Sequence, residues 1–94
     1  FTRLAALIVS SHTKQLAADV AADLARTAPR DDNVKVFGPA PAPVAQLRGR
    51  FRFRLLVKSP RRHNLQAMLL GWLASVSWPR AATVRVDMDP YSFM

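Results

Sequence analysis

Residues 48–62, RGRFRFRLLVKSPRR, hold a strict alternation of arginine and apolar side chains from Arg50 to Leu55. A period of two does not fit a helix, whose faces repeat near 3.6 residues. It fits a strand, whose successive side chains point to opposite sides of a sheet. Phe51, Phe53, Leu55 and Val57 then share one face, and Arg50, Arg52, Arg54 and Lys58 share the other. The apolar face calls for a core. The guanidinium face brings like charges together, and an anionic partner accounts for it. The alternative is a solvated strand face whose charges discourage edge-to-edge aggregation.

The remaining elements follow from punctuation and period. Residues 3–10 (RLAALIVS) read as a short buried strand. Ser10, Ser11 and Thr13 are candidate helix caps, and Leu16, Val20 and Leu24, backed by Ala17 and Ala21, set a helix from residue 14 to about 27. Pro29 ends it, and a polar turn over residues 30–33 leads to a second strand at 34–37. The alternating prolines of Gly38-Pro39-Ala40-Pro41-Ala42-Pro43 are expected to break regular structure and to run as an extended connector. A third strand spans about 48–58. Ser59 as cap and Pro60 at the first helical position predict a second helix, carried by Leu65, Met68, Leu69, Trp72, Leu73 and Val76 and closed by Trp78-Pro79. Residues 82–88 (ATVRVDM) alternate again, with Val84, Val86 and Met88 inward, before a short tail at 91–94.

The order β-α-β-β-α-β is the split βαβ arrangement of ferredoxin-like folds, an α+β class with a four-stranded antiparallel sheet and two helices on one face. Leu65, Leu69, Trp72, Phe51, Phe53 and Val86 are the expected core. In that order the third strand is central and has no edge to protect. Edge protection also favours lysine, whereas this row is nearly all arginine. Both points favour a ligand.

Ninety-four residues make one small domain, and a chain that opens on Phe1 reads as a piece of a longer protein. No apolar run reaches the roughly 18 residues of a membrane span, and no signal-peptide pattern is present. Without cysteine there are no disulfides or thiolate metal sites, which is compatible with a reducing compartment without showing one; the expected location is cytoplasmic. All six acids are aspartates, at positions 19, 23, 31, 32, 87 and 89. Between residues 33 and 86 the chain carries ten cations and no acid, so that span is +10 and the rest −2, for a net charge of +8. The charge is a footprint rather than a general tint.

Other features carry less. Arg61, Arg62 and His63 fall in the first turn of the expected helix, where positive charge opposes the dipole but free N–H groups favour phosphate. His12 and His63 lack a metal constellation, and Asp87 with Asp89 reads as solvated charge. Trp72 and Trp78 read as packing residues. No phosphate loop or nucleophile–base pair is present, so this stretch is expected to have no catalytic residue and to bind no cofactor or metal. A membrane-surface role conflicts with the need of the core for the apolar helix stripe.

Several strings taken together resemble one family. VFGPAPAPVAQLRGRFRFRLLVKSPRR, then a helix with LQAMLLGWLA, then VRVDMDPYSFM, is similar to the C-terminal end of the primosomal protein N′ family, the PriA-type replication-restart helicases. That family combines a GPxPAP segment, an RGRYRW-like strand, a helix after a proline and a closing VDVDP string. Here Phe51 and Phe53 stand in place of the commoner Tyr and Trp. The resemblance implies a domain resembling a ribosomal small-subunit protein. It also implies a parent that is an ATP-dependent 3′–5′ helicase using magnesium and zinc, none of whose motor or zinc motifs lie in these residues. Residues 1–94 are then expected to be a non-enzymatic C-terminal domain that binds replication-fork, branched or single-stranded DNA. The expected contacts are Arg48, Arg50, Arg52, Arg54, Lys58, Arg61 and Arg62. Other expected partners are the remaining domains of the helicase and single-strand-binding protein. The alternative function is a docking module that packs on the helicase core or takes the acidic tail of single-strand-binding protein.

Overall fold

A computed structural model describes residues 2–60 and 64–88, with backbone only at 43–45 and 47. The elements are β1 (Thr2–Ser11), α1 (Lys14–Arg26), β2 (Lys35–Leu47), β3 (Arg50–Pro60), α2 (Leu65–Ala74) and β4 (Ala82–Met88). They form one antiparallel sheet of order β2-β3-β1-β4, with β3 and β1 central and β2 and β4 at the edges. This is the expected α+β fold.

The core forms where alternation on the sheet meets the apolar stripes of the helices. Register places Ala5, Leu7 and Val9 of β1 opposite Val57, Leu55 and Phe53 of β3, all on the helix-covered face. Ala17, Val20, Ala21 and Leu24 of α1 and Leu65, Leu69 and Trp72 of α2 join the same buried cluster. Fully burying one such aliphatic side chain stabilises by about 1.5–3 kcal/mol. Trp72 also donates its indole N–H to Thr27 Oγ1 at 3.3 Å, which ties α2 to the end of α1.

Several boundaries differ from the sequence reading. The proline segment is part of a strand: β2 runs through residues 38–43 and pairs with β3, with register shifts between Phe37 and Ala40 and between Pro41 and Gln46. Proline lacks an N–H and is excluded from a central strand, but an edge strand with bulges accommodates it. The Gly38–Pro39 peptide is cis. Gly38 has φ +102°, and a Cβ there would lie 2.7 Å from the Arg54 carbonyl oxygen, so only glycine fits this approach of β2 to β3. Arg48 and Gly49 are not strand residues. They form a two-residue hairpin loop with φ +53° and +78°, the positive pair of a type I′ turn.

The second helix starts later than Ser59-Pro60 predicted. Ser59 is a buried strand residue, Pro60 ends β3, and the cap is Asn64, whose side chain accepts from the Ala67 N–H at 3.1 Å. A capping side chain close to the first buried apolar residue decided the start. The helix ends at Ala74, before Trp78-Pro79, and Trp78 packs half-buried against the core. Thr13 occupies the cap position of α1 without a side-chain bond. Ser11 Oγ instead accepts from the Thr13 N–H at 3.1 Å.

Of the expected core, Leu65, Leu69 and Trp72 are buried. Phe51 and Phe53 are half-buried because they sit towards the hairpin end of the helix-covered face, opposite Ser11 and Val9. Val86 points to the same face from edge strand β4 and remains 37% exposed. Among the described residues no helix is long and apolar enough to cross a membrane.

Candidate nucleic-acid interface

Alternation that buries one side of β3 delivers the other side to the face of the sheet opposite the helices. Cross-strand register makes that face a grid. Arg54 stands opposite Ile8, which stands opposite Arg85, with Ala40 on the outer side. The next row is Phe37, Leu56, Ala6 and Asp87, and beyond it Lys35, Lys58 and Leu4. On the other side lie Arg52, Ser10 and Thr83. Cations from β2, β3 and β4 therefore converge above a floor of Leu4, Ala6, Ile8 and Leu56.

Arg50 joins this face and is fixed to it. Its Nη2 donates to the Ser10 carbonyl oxygen at 3.0 Å, to Ser10 Oγ at 3.2 Å and to Thr83 Oγ1 at 3.2 Å. Its Nε donates to Ser10 Oγ at 3.3 Å. The two hydroxyls bond each other at 2.7 Å across β1 and β4. One guanidinium thus spans from β3 to β4. This qualifies the expectation that all the arginines serve a ligand, because Arg50 also serves the sheet. Nη1 takes no part in these bonds.

Arg48 sits exposed at the hairpin tip, and His12 Nδ1 lies 3.1 Å from the Gly49 carbonyl oxygen, holding that tip against the start of α1. The turn places Arg48 at the end of the arginine row rather than within it. Arg61, Arg62 and His63 lie outside the described residues, as do Asp89 and the segment 91–94. The structure thus brings Arg50, Arg52, Arg54 and Lys58 together on one face, with Arg48 adjoining.

It adds Lys35, Phe37 and Arg85, which the sequence reading did not select. Their signal was present. Val34 and Val36 are apolar, so Lys35 and Phe37 share the opposite parity, and Arg85 lies between the inward Val84 and Val86. Among the described residues no group of three His, Asp or Glu side chains could hold a metal. Arg26 pairs with Asp23 on the solvated side of α1, away from this grid.

A face of this kind can bind phosphate through several guanidinium and ammonium groups at once, and its apolar floor can receive flat rings. Comparison with known proteins gives the context. Residues 1–91 match the family described as primosomal protein N C-terminal domain. The replication restart protein PriA of Rickettsia typhi is 34% identical over 93 residues, which cover 99% of this chain and 14% of that protein. The protein of the same name from Treponema pallidum is 30% identical over 96 residues, covering all of this chain and 15% of its own length. The probable replication restart protein PriA of Deinococcus radiodurans is 45% identical over 58 residues, covering 62% of this chain and 6% of its own length. The chain therefore spans about one-seventh of the length of the Rickettsia and Treponema relatives.

Proposed function

Because the chain belongs to the primosomal protein N C-terminal domain family, we propose that its open sheet face binds DNA on behalf of a replication-restart helicase. The observation that carries this reading is the convergence of Lys35, Arg52, Arg54, Lys58 and Arg85 from three strands on the face opposite the helices. Phosphate contacts from such a face would position the strand without reading its sequence, which suits a protein that acts wherever a fork has stalled. Unwinding and ATP hydrolysis belong, on this proposal, to the parts of the parent outside the matched 14%. The role of this domain is to hold the DNA, with no chemistry of its own.

The spacing of the row gives the reading a measurable form. Arg50 to Arg54 covers about 13–14 Å along one strand face, close to two phosphate steps of an extended single strand. Four single-strand phosphate contacts predict a log–log slope of affinity against salt of about −3. The test is fluorescence anisotropy of labelled single-stranded, duplex and forked oligonucleotides with the 94-residue chain at two or more salt concentrations. Arg52→Ala, at the centre of the row, is expected to weaken binding more than Arg30→Ala, which lies in the loop beside Asp31 and Asp32. Equal losses would show that only net charge counts. A flat salt response, with tight binding of an acidic tail peptide instead, would overturn the DNA reading in favour of protein docking.

A further inference from the structure

Phe37 is the one aromatic side chain among the described residues that the fold leaves largely in water, 53% exposed. Packing does not explain it. Val36 beside it turns to the core, while register with Leu56 puts Phe37 on the open face. Its row continues over Leu56 to Ala6, an apolar floor at the height of one ring. The adjoining row on one side holds Lys35 and Lys58, and the row on the other side holds Arg54. The next residue of β2 on this face is Ala40, whose methyl leaves the space beside the ring open. The backbone that carries the ring is also held in place. Gly38 follows it at positive φ, pressed so close to the Arg54 carbonyl that a Cβ would come within 2.7 Å, which seats the backbone of Phe37 firmly on β3.

An exposed ring on a sheet, with cations one row to either side, is the arrangement by which unpaired bases are stacked while their flanking phosphates are neutralised. Neighbouring rows lie two strand residues apart, about 6.8 Å, comparable with one phosphate step in an extended single strand. A duplex keeps the faces of its bases inside the helix and could offer this site only phosphates. We propose that Phe37 is a stacking platform for an unpaired base, and that it gives the basic face a preference for single-stranded over duplex nucleic acid. The proposal rests on the DNA-binding reading of this face.

The test compares three ligands of equal length: oligothymidylate, the same strand with abasic sites, and a blunt duplex. Phe37→Leu keeps apolar character and removes the ring. It is expected to lower affinity for oligothymidylate about tenfold, within the range of a single base stack, with the salt slope unchanged because no phosphate contact is lost. Its affinity for duplex and for abasic strand should equal that of the unsubstituted chain. Phe37→Trp should restore oligothymidylate binding. Unchanged oligothymidylate affinity in Phe37→Leu, alongside strong salt-dependent binding, would overturn the stacking role and leave the DNA reading standing. Equal losses on all three ligands would overturn it too, by showing that the ring only supports the face. Absence of salt-dependent binding to any ligand by the unsubstituted chain would remove the DNA reading itself.

Discussion

Arg50→Ala separates structural from ligand-facing charge within one row of arginines. The side chain donates to the Ser10 carbonyl and to the hydroxyls of Ser10 and Thr83, bridging β3, β1 and β4. A hydrogen bond involving a charged group contributes about 1.5–3 kcal/mol net. Two features of the site reduce that figure. The bonds are only part-buried, so water can replace the guanidinium. The hydroxyls also keep their 2.7 Å bond to each other, so truncation orphans no buried group. The expected cost is about 1 kcal/mol, or a fall in Tm of about 4–8 °C for a domain of this size. Arg54→Ala, opposite Ile8 on the same face, should stay within about 0.5 kcal/mol. Circular-dichroism melting of the two variants reads the difference directly. Thr83→Val made alone and with Arg50→Ala completes a cycle whose coupling should be about 0.5 kcal/mol or more. If Arg50→Ala and Arg54→Ala melt together with the unsubstituted chain, the bridge contributes nothing and the reasoning fails.

Trp72→Ala should cost about 3–5 kcal/mol by opening a cavity and losing the tie to Thr27, measured as a lower urea midpoint at similar m. Gly38→Ala should cost about 2 kcal/mol or more, since the positive φ alone accounts for about 1–2 kcal/mol and a Cβ would press on the Arg54 carbonyl; an unchanged midpoint would show that the β2 bulge yields freely. Asn64→Ala should cost about 1 kcal/mol by removing the cap of α2, and an equal stability would place the start of that helix elsewhere.

Much of the architecture was legible because alternation and 3.6-residue periodicity report the buried face directly. Leu24, Leu55, Leu65 and Trp72 lie in the core, as their spacing implied, whereas the unbroken apolar run of β1 did not show that Leu7 and Val9 face the core and Ile8 the open side. The boundaries were less legible where two local signals competed. Ser59-Pro60 has the chemistry of a helix start, yet pairing of Thr2 with Pro60 keeps β3 extended to that point. The prolines of residues 39–43 argue against a strand only if the strand is central, and edge position is a property of the whole sheet. The site was half legible for a similar reason. The parity of Arg50, Arg52, Arg54 and Lys58 could be read along one strand. The engagement of Arg50 by Ser10 and Thr83, and the alignment of Phe37 with Leu56, depend on residues on other strands far along the chain.

The two edges of the sheet are chemically unlike. β2 carries prolines at 39, 41 and 43 and is bulged, which disfavours pairing of a further strand along that part of its outer rim. β4, with the sequence ATVRVDM, has no proline and an unbroken register with β1. A strand that adds to the sheet is therefore favoured at β4 over β2. Two copies joined there back to back would present only their proline rims outward. Such a pair would leave no unbroken strand edge outward, which works against the open-ended stacking that leads to fibrils.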